Sequence, residues 1–132
     1  MRCSRNMKRI TGIGGIFFKS DEPEKLCGWY RKHLGIEIQG RAATFKWRRL
    51  DNSKETYTVW SPFPNDTDYF EPSSKPFMIN FQVENLEELL AQLKREGVDV
   101  DPKVETHDYG KFGWIMDPDG NRIELWEPAS SK

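Results

Sequence analysis

Glu124 is the side chain in this sequence best placed to do chemistry. It stands in the run Arg122-Ile123-Glu124-Leu125-Trp126. Alternation along a strand puts Ile123 and Leu125 on one face and Arg122, Glu124 and Trp126 on the other. A carboxylate on such a face is either ion-paired, with Arg122 or another basic neighbour, or has a raised pKa and works as an acid or base. Other reactive groups are few. The chain has two histidines. His33 closes a helical pattern beside Leu34 and reads as packed or capping. His107 lies in a Thr-His-Asp-Tyr loop and is either a solvated loop residue or a functional one. Asp117-Pro118-Asp119-Gly120-Asn121 faintly resembles a calcium loop, but it lacks the downstream Glu that such loops need and reads as a hairpin turn. Cys3 and Cys27 make no disulfide framework, so the expectation is a reduced, cytoplasmic protein.

The elements that would position Glu124 occur twice. Tyr57-Thr-Val-Trp60-Ser-Pro62 and Ile123-Glu-Leu-Trp126-Glu-Pro128 are one phrase at an offset of 66 residues. Each reads as a strand ending at proline. Upstream of each lies an apolar strand, then an amphipathic helix stopped by glycine, at Gly35 and at Gly97. The pattern predicts strands over Ile10 to Lys19, Ile36 to Gln39, Ala42 to Arg49 and Glu55 to Ser61, with a helix near 22–34 capped by Ser20 or Asp21. It then predicts strands over Phe77 to Val83, Val98 to Val100, Gly113 to Met116 and Arg122 to Trp126, with a helix near 86–96 started by Asn85. The reading is α+β: two βαβββ modules with pseudo-twofold symmetry. The boundaries are a tail over 1–9, module one over 10–61, a proline-rich linker over 62–76, module two over 77–128 and a tail over 129–132.

Composition narrows the function classes. At 132 residues with net charge −1, the chain makes one domain and shows no basic field aimed at nucleic acid. No apolar run is long enough to span a membrane. The basic start, with Met7 as a possible second initiator, has no apolar stretch behind it and is not a secretory signal.

Two segments resemble the signatures of the vicinal oxygen chelate superfamily, which includes glyoxalase I, bleomycin-resistance proteins and extradiol dioxygenases. They are Asp21-Glu-Pro-Glu-Lys-Leu26 with Trp29-Tyr30 and His33-Leu34-Gly35, and Asp117-Pro-Asp-Gly-Asn-Arg-Ile-Glu124-Leu125. The resemblance covers residues 10–128. It implies a mixed sheet curled around a cavity. In metal-using members it implies four ligands there, from the first and last strands of each module. Carried onto this chain, those positions are Gly14, Thr58, Met78 or Asn80, and Glu124. A carboxylate with a hydroxyl and an amide is a poor set for a divalent ion. The expectation is therefore no metal cofactor; a divalent metal with Glu124 as its one strong ligand is the alternative.

Trp47, Trp60, Trp114 and Trp126, with Phe18 and Phe45 nearby, are placed on the concave face. Aromatics at strand spacing usually form core, but a cup has an inner face without a helix to cover it, which suits a flat or apolar ligand. Lys46, Arg48 and Arg49 mark an exposed strand face; the alternative is that Arg41, Lys46 or Arg48 greets an anionic ligand. The predicted site is Glu124 for catalysis, with Trp60, Trp126, Trp47, Trp114, Asn80, Thr58 and His107 for binding. The reading favours a protein that binds a small aromatic or amphipathic molecule. The alternatives are a glyoxalase-like lyase or isomerase, or a dioxygenase-type enzyme, and a subunit used mainly for protein association. Open sheet edges and apolar patches predict a homodimer, with Tyr69, Phe70 and Phe77 at the partner surface.

Overall fold

The computed structural model describes residues 9–129, so the expectations for the tails, Cys3 and Met7 included, lie outside the described residues. The first half contains β1 (Ile10–Ser20), α1 (Pro23–Leu34), β2 (Ala43–Arg48) and β3 (Glu55–Pro64). The second contains β4 (Phe77–Val83), α2 (Leu86–Arg95), β5 (Asp99–His107), β6 (Gly110–Met116) and β7 (Arg122–Pro128). The strands form one open sheet of seven, in the order β2-β3-β1-β4-β7-β6-β5.

The doubled sequence is visible in the pairing. β1 and β4 run antiparallel at the centre. Each has a parallel neighbour on its far side, β3 on β1 and β7 on β4. Each of those carries an antiparallel partner, β2 and β6. The symmetry breaks at one strand. Ile36 to Gln39, expected as a strand, makes only an isolated bridge between Gln39 and Ala42. Gly40, at φ 63, turns the chain immediately afterwards, and Ile38 is spent packing against Cys27 and Ala43. The corresponding β5 is longer than expected and carries His107 at its end.

Local signals set the helices. Asn85 accepts the Glu88 N–H at 3.1 Å and starts α2; Gly35, at φ 67, ends α1. The expected cap of α1 is corrected: the N-cap is Glu22 with no side-chain bond, and Pro23 opens the first turn. α2 covers Val83, Phe81 and Leu125 with Leu86, Leu89 and Leu90. α1 covers a smaller cluster through Cys27 and Tyr30, which packs on Trp60 at 4.6 Å between rings.

A third cluster, on the face the helices leave open, depends on the segment read as a linker. β3 runs through Pro62 to Pro64, and the chain after it folds back as a strap. Phe70 is fully buried with Met78 and Trp114. Ser73 donates to the Gly120 carbonyl at 2.7 Å, and the Lys19 N–H reaches the Pro76 carbonyl at 2.7 Å. Phe70 is thus interior to the protomer, which corrects its expected place at a partner surface, and Tyr69 is half-buried with its hydroxyl turned inward to Glu124. Phe77 remains partly exposed.

Candidate functional site

One row of residues crosses the centre of the sheet. Cross-strand pairing aligns Val59 with Gly15, Gly15 with Asn80, Asn80 with Glu124, and Glu124 with Trp114. The central partners of this row, Asn80 and Glu124, line a cavity of about 390 Å³ on the face opposite the helices.

Glu124 is almost fully buried, at 2% exposure. Neutral donors satisfy its carboxylate. Asn80 Nδ2 donates to Oε1 at 2.7 Å, Trp114 Nε1 donates to Oε2 at 3.0 Å, and the Tyr69 hydroxyl donates to Oε2. Burial pushes the Glu124 carboxyl above its usual range, and those three hydrogen bonds together with the Arg122 charge oppose the rise. Burial, reinforced by the Glu124 charge, also pushes the Tyr69 phenol up. Arg122 makes no ion pair with Glu124. It pairs with Asp101 at 3.3 Å, donates to the Tyr69 carbonyl and lies over the Trp114 ring. Of the two sequence alternatives, the ion pair with Arg122 is not made.

The cavity walls are aromatic. Trp126 and Phe112 stack in parallel at 5.8 Å, and Tyr57 meets Trp126 edge-on. Phe63 stacks on Tyr69 at 5.7 Å, and Phe17 meets Phe63 edge-on. At the rim His107 stacks on Tyr109 at 5.0 Å and bonds Glu105 at 3.0 Å. That contact, with the Lys103 ammonium, holds the Glu105 carboxyl below its usual range. Asn80 Oδ1 is buried without a hydrogen-bond partner and lies against Gly14: a Cβ added there would come within 2.2 Å of it.

The sequence-predicted residues divide sharply. Glu124, Asn80, Trp126 and His107 line the cavity together with Gly14. Trp114 stands behind it and reaches it through the indole N–H. Trp60 faces α1 instead, with Phe18 beside it. Trp47 donates to Thr58 Oγ1 at 2.7 Å, and Thr58 donates to the Ile13 carbonyl. Trp47, Trp60 and Thr58 are therefore corrected out of the lining, while Tyr57 and Val59, on either side of Thr58, belong to it. The physical reason is a slip of one residue, which exchanges the two faces of a strand. The partner of Glu124 across the pseudo-twofold is Val59, at an offset of 65 rather than the 66 of the repeated phrase. Met78, the other candidate on β4, is core. Lys46 and Arg48 pair with Glu55 on the exposed surface, and neither they nor Arg41 line the cavity.

Tyr69 was hidden in the presumed linker. The signal available was an aromatic pair, Tyr69-Phe70, inside an otherwise polar stretch, because such rings seek burial. Tyr57, Phe63 and Phe112 follow from β3 and β6 once register is known.

The residues on the row do not fit a divalent metal. Val59 and Gly15 supply no side-chain donor, and both Glu124 oxygens already accept hydrogen bonds. Among the described residues, no group of three His, Cys, Asp or Glu converges on one point.

Two helices on one face of an open mixed sheet, built from paired halves about a cavity, define the vicinal oxygen chelate fold. The chain belongs to the Glyoxalase/Bleomycin resistance protein/Dioxygenase superfamily, whose family profile matches residues 12–125. Solved structures agree on the fold. Methylmalonyl-CoA epimerase from Mycobacterium tuberculosis is 15% identical, with TM-score 0.61 over 98% of this chain and 94% of its own. A variant methylmalonyl-CoA epimerase of Streptomyces coelicolor, in complex with 2-nitronate-propionyl-CoA, is 16% identical, with TM-score 0.64 over 92% and 99%. A glyoxalase/bleomycin resistance protein/dioxygenase superfamily member from Vibrio splendidus is 12% identical, with TM-score 0.57 over 87% and 97%. No curated protein matches in sequence.

Proposed function

We propose that the protein binds a small aromatic or amphipathic molecule in this cavity without a metal ion. The observation that carries the reading is the combination of ring-lined walls with two buried polar side chains, Asn80 and Glu124, on the strands that meet at the cavity. Rings supply apolar contact at low entropic cost, and a few fixed polar groups set orientation. The test is calorimetric titration of protein dialysed against EDTA with a panel of small bicyclic aromatics. One-to-one saturable binding is expected. Binding only after a divalent metal is added would refute the reading.

A second reading makes the protein a lyase or isomerase with Glu124 as the proton-transfer group. Its support is the raised pKa of a carboxyl that lines the cavity. Glu124→Gln separates the two: a binding protein keeps its cavity and some affinity, whereas an enzyme loses its turnover with the fold intact.

The protomer is also proposed to pair with a second copy. The support is the row Ile10, Ile13 and Ile16 on central β1, each 40% to 45% exposed, together with the unpaired edges of β2 and β5. No helix among the described residues is long and apolar enough to cross a membrane.

A further inference from the structure

We propose that the cavity selects an organic cation, an aryl-alkyl amine whose ammonium group rests among ring faces within reach of Asn80, Glu105 and Glu124. This rests on the binding reading and names the ligand class for the same cavity. Three observations carry it.

The first is charge. Two carboxylates line the cavity, Glu105 at the rim and Glu124 within, and no Lys or Arg is among the lining residues. The neighbouring cations lie outside that lining. Lys103 bonds Glu105 at 2.9 Å with its ammonium 5.7 Å from the Trp114 ring, and Arg122 sits 5.0 Å from that same ring while pairing with Asp101. Trp114 and Arg122 border a different hollow, so these charges stand behind the cavity rather than in it. An anionic ligand would find no Lys or Arg among the lining residues to receive it.

The second is the walls. Trp126, Tyr57, Phe112, Tyr109, Phe17 and Phe63 present ring faces and edges to one space, with Tyr69 beside them. An ammonium close to such rings gains from their quadrupoles, and more so where water is excluded.

The third is the polarity of the hydrogen bonds on offer. Asn80 is 2% exposed, and its Oδ1 has no partner. Its Nδ2 is fixed by Glu124 Oε1, so the amide's acceptor is left unmatched against Gly14, within the cavity wall. A buried acceptor without a donor costs free energy that an incoming N–H offsets. Glu105 contacts Lys103 and His107 and Glu124 accepts from Asn80, Trp114 and Tyr69, and each carboxyl keeps a lone pair for a further donor. A ligand with N–H donors completes Asn80 Oδ1; a carboxylate or phosphate does not.

The test uses three probes of similar shape at pH 7.5: 2-naphthylmethylamine, 2-naphthalenemethanol and 2-naphthoate, each titrated calorimetrically into the full-length protein. The amine is expected to bind at least tenfold more tightly than the alcohol, and the carboxylate least tightly of the three. Glu105→Gln, at the partly exposed rim where folding is not at stake, should narrow the ratio of amine to alcohol severalfold. Equal affinities for amine and alcohol, or a preference for the carboxylate, would overturn the cation inference while leaving the binding reading standing. Failure of all three probes to bind overturns both.

Discussion

At the residue scale Glu124 is the centre of the cavity's hydrogen bonding. Its carboxyl is raised by burial, so the folded state holds a proton that the unfolded chain releases near the ordinary value of 4.5. Above that value the folded state binds more protons than the unfolded one, and this residue's contribution to stability falls as pH rises toward the folded pKa. Glu105 and Asp117 are shifted down and have the opposite slope, so the diagnostic quantity is a difference between proteins. Urea denaturation from pH 4.5 upward should show Glu124→Gln losing this downward component, and parallel curves for the two proteins would refute it. Tyr69→Phe removes one of the three donors to the carboxylate. Denaturant unfolding should show a loss of about 1–2 kcal/mol, and the Glu124 pKa should move further up. Glu124 was legible because alternation places a charge reliably on one face of a strand. Val59 was not, because a matched Trp-x-Pro phrase fixes register only to within a residue, and one residue is enough to turn a strand over.

At the element scale the strap after β3 matters most. Phe70 is its anchor, buried against Met78 and Trp114, and it holds the neighbouring Tyr69 over Glu124. Phe70→Ala should cost about 3–5 kcal/mol and weaken ligand binding by freeing Tyr69, as measured by thermal unfolding and titration. Gly14→Ala acts on the opposite wall. The added methyl would meet Asn80 Oδ1 at 2.2 Å, and Gln82 Cγ and Trp126 Cε3 at 2.9 Å. Overpacking of this kind should cost about 1–3 kcal/mol and abolish binding; unchanged affinity would show that the cavity does not reach Gly14. The helices were readable because their signals are local, at Asn85, Gly35 and Gly97. The strap was not, because what holds the Tyr69 hydroxyl is a side chain 55 positions away in the chain.

At the scale of the whole molecule the duplication was legible, and the asymmetry laid over it was less so. Both halves kept the pairing scheme, yet the first replaced an expected strand with a bridge and put valine and glycine where the second has glutamate and asparagine. Chemistry has thus collected in the second half, roofed by aromatics from both. Exposed isoleucines on β1 should be covered by a second copy: sedimentation at micromolar concentration should give a dimer, and Ile16→Asp should shift it toward monomer. A monomeric wild type would refute that assembly without touching the cavity.

Metal-free binding of a small molecule in the ring-lined cavity, as proposed, has a direct readout in the five tryptophans. Trp126 lines the cavity and donates to the Tyr109 carbonyl, Trp114 bonds Glu124, and Trp60 faces α1 on the other side of the sheet. Indole N–H resonances of EDTA-treated, ¹⁵N-labelled protein should be followed during titration with 2-naphthylmethylamine. The Trp126 and Trp114 signals are expected to shift together and saturate while Trp60 stays in place. Still resonances for Trp126 and Trp114, or shifts that need added divalent metal, would contradict the account.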